Sequence, residues 1–227
     1  MPVYWLRENE LSFPHPGNAS SDGLLAIGGD LSVDRLLLAY SWGIFPWYTH
    51  GDPILWWHPD PRFVLFPEKL KVSRSMRPYF NQQKYHTTYD TAFGEVIRAC
   101  SEIRRRGQES TWITEDMIEA YEALHQAGFA HSVEVWQGDE LIGGLYGVAM
   151  GQIFFGESMF SKASNASKFG FISLVRDLRE RGFKLIDCQQ ETNHLASLGA
   201  EPIPRTTFLQ HLEHNQKLAL IAERWTK

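Results

Sequence analysis

The clearest patterning of apolar and polar positions lies between Glu140 and Gln189. Two apolar runs, 141–148 and 153–155, flank Met150-Gly151, which predicts a β-hairpin with glycine at a positive-φ turn position. A helix is predicted over 164–181. Phe171, Ile172, Leu174, Val175 and Leu178 cover more than one of its faces, so it should be buried on more than one side. The run KLIDCQ then reads as a short strand that ends in Asp187, Cys188 and Gln189. A crossover from 153–155 through this helix to 184–187 should be right-handed and make the two strands parallel.

Upstream, the alternation over 131–136 predicts a strand that turns at Gly138-Asp139 into the hairpin. Thr114 is a candidate N-cap, followed by Glu115 and Asp116 and by an Ile113–Ile118 staple, for a helix that ends at Gly128. A further helix begins near Asp90, with Phe93, Val96, Ile97, Cys100 and Ile103 on one face, and finishes in Arg104-Arg105-Arg106. A last helix is expected from 208 to about 225.

The first third of the chain differs. Residues 1–22 read as irregular, and Ser32 caps a short helix that buries Leu36, Leu37 or Tyr40. Prolines and tryptophans crowd 44–59, which suits short extended pieces wrapped on an aromatic cluster, and 62–67 is a β-type run. The chain therefore divides into a small Trp-rich N-terminal subdomain, 1–67, and a larger domain, 68–227. The order of elements in the latter predicts an α+β (mixed α/β) domain on a mixed sheet.

Composition narrows the class. Hydrophobic residues make up 43% and charged residues 22% of 227, as in ordinary globular proteins. Two cysteines without CxxC spacing, no signal-peptide pattern and no membrane-length apolar run point to a cytoplasmic protein without a membrane segment. Residues 62–106 carry 10 Lys/Arg against 4 Asp/Glu, a net +6 that leaves −11 elsewhere in a chain of net charge −5. Such a stretch is either a solvated face or the footprint of a polyanion.

Few residues are placed for chemistry. Glu157 stands among aromatic and thioether side chains in FGESMF, where an unpaired charge is costly, so it should have a partner or a task. Asp187 and Gln189 alternate at a strand end and face one way, with Cys188 facing the other. A carboxylate with an amide suits holding and polarising an amine; a buried hydrogen-bonded pair is the alternative. An acidic neighbour raises a thiol pKa, which argues against a nucleophilic Cys188. His211 and His214 lack a third ligand at metal spacing, and no metal site is expected.

Nine motifs then point to a family: GGDL (28–31), GIFPW (43–47), WWHPDPR (56–62), TWIT (111–114), GGLYG (143–147), FGESMFS (155–161), NASK (165–168), LIDCQ (185–189) and SLGA (197–200). In this order they resemble leucyl/phenylalanyl-tRNA–protein transferase. The resemblance implies a GNAT-like acyltransferase domain with a small N-terminal domain. It also implies transfer of Leu or Phe from aminoacyl-tRNA to proteins or peptides that begin with Arg or Lys, marking them for N-end rule degradation. No cofactor is implied, acetyl-CoA and metal included. By the same resemblance Asp187 and Gln189 orient or deprotonate the acceptor amine. Leu145, Phe154, Glu157 and Leu174 surround the donor side chain, and Trp47 and Trp112 stack on or brace the terminal adenosine. The +6 stretch, including Arg104, Arg105 and Arg106, is the expected tRNA phosphate contact. The competing expectations are a non-catalytic module that binds tRNA or protein N-termini, and a same-fold acyltransferase with another acceptor, such as a peptidoglycan precursor.

Overall fold

The computed structural model describes residues 3–103 and 112–226, and two sheets form among them. Arg104, Arg105 and Arg106 lie outside the described residues. The smaller sheet holds β1 (Tyr4–Leu6), β2 (Leu24–Gly28), β3 (Phe45–Pro46) and β4 (Leu55–Trp57) in the order β1-β2-β4-β3. Helix α1 (Val33–Ser41) lies between β2 and β3 in the chain, and the Ser32 hydroxyl accepts from the Arg35 amide at its start. The stretch expected to be irregular thus contributes β1, whose Tyr4, Trp5 and Leu6 pair in parallel with Ala26, Ile27 and Gly28.

The larger sheet is built from β5 (Arg62–Leu65), β6 (His86–Tyr89), β7 (Ala130–Gln137), β8 (Glu140–Met150), β9 (Ile153–Ser161), β10 (Leu185–Gln189) and β11 (Glu201–Ile203). Its order is β11-β5-β10-β9-β8-β7-β6. Helix α2 (Arg77–Asn81) precedes β6, while α3 (Phe93–Glu102) and α4 (Glu115–Gln126) follow it. Helix α5 (Ala166–Glu180) joins β9 to β10, and α6 (Asn193–Ser197) and α7 (Arg205–Asn215) flank β11. The β9–β10 pair is parallel, as a crossover helix requires, and its neighbours are antiparallel, so the domain is α+β on a mixed sheet. The division expected at residue 67 falls beyond β5, a strand of the larger sheet; sheet membership divides the chain between β4 and β5.

Alternate residues of the central strands feed two apolar clusters. Tyr146 and Phe155 join α3, α4 and the N-terminal elements in one; Leu145, Phe154 and Ile186 join α5 in the other. With helices on both faces, six successive residues of β7 from Ala130 are buried, which hides the alternation its sequence suggests. α5 is buried on several sides, as its apolar pattern predicts. The last helix is shorter than expected. It stops at Asn215, whose side chain accepts from the Gln152 amide at 2.7 Å and donates to the Met150 carbonyl at 2.9 Å, tying the helix end to the β8–β9 turn. The chain then runs without regular structure to Trp225, which is buried, so tertiary docking overrides the helical pattern of 216–225.

Candidate functional site

A cavity of about 480 Å³ opens where the carboxyl end of β10 meets β9, and Asp187, Gln189 and also Cys188, expected to face away, line it, because the register shift at this strand end breaks the alternation. Asp187 is fully buried and clamped. The Arg62 guanidinium donates from Nε to Oδ1 at 2.7 Å and from Nη2 to Oδ2 at 2.6 Å, and Nη2 also donates to the Gly43 carbonyl at 2.8 Å. The rings of Phe45 and Phe208 lie 4.9 and 4.7 Å from the guanidinium carbon. Charge-assisted, bidentate bonds of this kind fix a carboxylate in place.

Gln189 follows at the point where the β10–β5 register shifts, and its φ of 57° lies in the left-handed region. Its backbone N–H donates to Asp187 Oδ1 at 3.0 Å, which holds the unusual turn. Its side-chain amide donates to Glu157 Oε1 at 3.1 Å. A left-handed backbone at a residue other than glycine costs about 1–3 kcal/mol and persists only where the surrounding structure holds it.

Glu157 has the partners its sequence context demands. Tyr40, from α1, donates to Oε1 at 2.7 Å, and Tyr121, from α4, donates to Oε2 at 3.0 Å. The two hydroxyl oxygens also lie within bonding distance of each other, and with one proton apiece they cannot make all three bonds at once while Glu157 is ionised. Burial pushes the Glu157 carboxyl up to about 7, against these hydroxyls, which favour its charged form; the Asp187 charge adds to the rise. Burial likewise drives both tyrosine hydroxyls well above their ordinary range. Burial first, and the Asp187 charge second, hold the Cys188 thiol far above its usual value, so it stays neutral. Behind Arg62, His58 is fully buried, and burial together with the charges of Arg62 and Arg205 pushes it down to about 2.

Of the residues expected around a substrate, Trp47, Trp112, Leu145, Phe154 and Glu157 all line this cavity with Asp187 and Gln189. Leu174 does not: it is buried in the α5 cluster, and Phe171, one turn earlier, takes the wall position. Trp47 packs edge-on against Trp57, whose indole N–H donates to the Trp47 carbonyl at 2.6 Å, so the ring is braced at the rim. Sequence reasoning missed Arg62, Tyr40 and Tyr121 as partners of the two carboxylates; the only signals were the presence of Arg62 in WWHPDPR and of Tyr40 as a candidate core residue. No group of three or more His, Cys, Asp or Glu side chains among the described residues could hold a metal ion, and no helix among them is long and apolar enough to cross a membrane.

Known proteins resemble this chain to very different degrees. A distant likeness joins it to an aminoglycoside acetyltransferase from an uncultured soil metagenomic sample, at 10% identity over 64% of this chain and 98% of that one, with a TM-score of 0.39. Nearer relatives are far more similar. The leucyl/phenylalanyl-tRNA–protein transferase of Pseudomonas fluorescens (strain Pf0-1) is 60% identical over 210 residues, 92% of each chain. That of Desulfatibacillum aliphaticivorans is 53% identical over 226 residues, 100% of this chain and 97% of its own. The family profile described as leucyl/phenylalanyl-tRNA protein transferase matches residues 64–213, and the profile of its N-terminal domain matches 29–60. The chain belongs to the leucyl/phenylalanyl-tRNA–protein transferase family.

Proposed function

We propose that the protein transfers Leu or Phe from aminoacyl-tRNA to the α-amino group of acceptor proteins that begin with Arg or Lys. It would act in the cytoplasm and mark those acceptors for N-end rule degradation. The observation that carries this reading is a largely apolar cavity, lined by Trp47 and Trp112, that meets the end of β10 where Asp187 and Gln189 lie beside Glu157 of β9, in a chain of this family.

The chemistry asks little of the protein. An aminoacyl ester is already activated. Attack of the neutral amine forms the N–C bond and breaks the C–O bond to the ribose, whose oxygen leaves with the proton the amine sheds. A free α-amine titrates at about 7.7–8.0, so a useful neutral fraction exists near neutrality. Placement of amine and carbonyl can then supply most of the acceleration. Leu145, Phe154 and Phe171 offer an apolar wall for the donor side chain, and Trp47 and Trp112 offer flat rings for the terminal adenosine.

Within this reading Asp187 is an anchor more than a base, because both its oxygens already accept hydrogen bonds from Arg62. Gln189 and Glu157 face the amine. The test is transfer of labelled Leu and Phe from charged tRNA to otherwise identical peptides that begin with Arg, Lys, Ala or acetylated Arg. Products on Arg and Lys alone support the reading; equal labelling of the Ala peptide, or label on the acetylated one, overturns the acceptor assignment.

A further inference from the structure

The polypeptide beyond α7 has an unusual place in the fold. Leu220 and Ile221 are 51% and 68% exposed, yet Trp225 is 4% exposed. Three separate interactions dock it. Its backbone N–H donates to Asp90 Oδ2 at 2.7 Å. Its ring stacks on His131, centroids 3.9 Å apart and planes 3° apart, with His131 itself held by Asp90 at 2.8 Å. The Arg181 guanidinium carbon lies 4.4 Å from the ring centroid, and Arg181 also pairs with Glu223. Just before it, the Glu223 amide donates to the Gly128 carbonyl at 3.1 Å, and a Cβ at Gly128 would sit 2.9 Å from that amide nitrogen.

What the docked ring touches next bears on function. Its centroid is 5.8 Å from that of Phe154, at 33°. Phe154 lines the cavity, and Trp225 does not. The Phe154 ring also lies on Gly147, where a Cβ would come within 2.5 Å of its Cζ. The ring is therefore fixed by bare backbone on one side and by the tail's indole on another.

We propose that Trp225 is a positioning residue that sets the depth of the cavity's apolar end through Phe154, and with it the balance between leucyl and phenylalanyl donors. This rests on the reading that the cavity holds the donor side chain. A leucyl and a phenylalanyl side chain differ in length and in flatness, so a ring held forward favours the shorter one. Once a large neighbour is removed, packed rings relax only in part, and the pocket deepens by a fraction of a ring. A methylene in an apolar pocket is worth about 10- to 200-fold, so a partial shift of Phe154 should change the Phe-to-Leu ratio of kcat/KM roughly 3- to 10-fold in favour of Phe.

The experiment is competition between leucyl- and phenylalanyl-tRNA for one N-terminal Arg peptide, with Trp225→Ala, Trp225→Phe, Phe154→Leu and the double variant Phe154→Leu/Trp225→Ala. The ratio is internal to each preparation, so a loss of folded protein alone does not move it. The expected result is a raised ratio in Trp225→Ala, a return towards wild type in Trp225→Phe, and no further change when Trp225→Ala is added to Phe154→Leu. If Trp225→Ala does not fold, Trp225→Phe is compared with wild type, and a small rise is expected. An unchanged ratio in every folded Trp225 variant, with Phe154→Leu shifting it, overturns the inference alone. An unchanged ratio in Phe154→Leu overturns the pocket reading beneath it.

Discussion

Arg62→Met tests the architecture of the site most severely. The guanidinium and the Asp187 carboxylate are both fully buried and share two short bonds, at 2.6 and 2.7 Å, and Arg62 directs a third bond to Gly43. Removing the cation leaves Asp187 with the Gln189 amide and no opposite charge beside it. A buried ion left without its partner costs about 3–5 kcal/mol, a large share of the roughly 5–15 kcal/mol that holds a domain folded. At about 2–4 °C per kcal/mol for a chain of this length, the melting temperature should fall roughly 6–20 °C. Adding Asp187→Asn removes the stranded charge while keeping the side chain's shape and its acceptor for the Gln189 amide. The double variant should therefore recover part of the loss, about 2 kcal/mol, in denaturant unfolding followed by tryptophan fluorescence. If Arg62→Met costs less than about 1 kcal/mol, or if the double variant is no better than the single, the pair is not the anchor described above.

Glu157 predicts a pH dependence of stability. Its folded value of about 7 lies above the ordinary 4.5, so the native state binds the proton more tightly than the unfolded chain. The stability it contributes is full below about pH 4.5 and is lost as pH rises through 7, a difference of about 3 kcal/mol. Subtracting the unfolding profile of Glu157→Gln from that of wild type should isolate this slope, and parallel profiles would refute it. For the basic stretch, Arg104→Glu with Arg105→Glu and Arg106→Glu should weaken tRNA binding and reduce the slope of log affinity against log salt. The reduction should be about 0.7–0.9 for each phosphate that is no longer neutralised; an unchanged slope would remove these arginines from the interface.

The site was legible in the sequence to the extent that it is local. The hairpin, the crossover helix and the strand ending in Asp187 and Gln189 all follow from periodicity, and the cost of a charge in FGESMF marks Glu157. What was hidden is long-range. Arg62 meets Asp187 across 125 residues, and Tyr40 meets Glu157 across 117, and no local pattern encodes either encounter. Leu174, which the family resemblance puts beside the donor side chain, is buried in the α5 cluster away from the cavity wall; apolar residues cover several faces of α5, and periodicity says that such a residue is buried, not which wall it joins. Trp225 misled in the opposite sense. Residues 216–225 have a helical composition, but a docking site made by Asp90, His131 and Arg181 holds their end in place, so packing decides. The edge strand β6 also escaped notice, since HTTY signals a strand only once β7 lies beside it.

The most direct measurement is single-turnover transfer of labelled Leu from charged tRNA to an N-terminal Arg peptide, by wild type and by Gln189→Asn. That substitution leaves the Arg62–Asp187 pair whole, suits the left-handed backbone at this position, and shortens the amide's reach by one methylene. The account predicts efficient transfer by wild type. For the variant it predicts a rate lower by about 10²-fold, the scale of a misplacement near 1 Å, with tRNA affinity and melting temperature unchanged. Equal rates would contradict the assignment of Gln189 to the amine, and absence of transfer by wild type to the Arg peptide would contradict the proposed reaction.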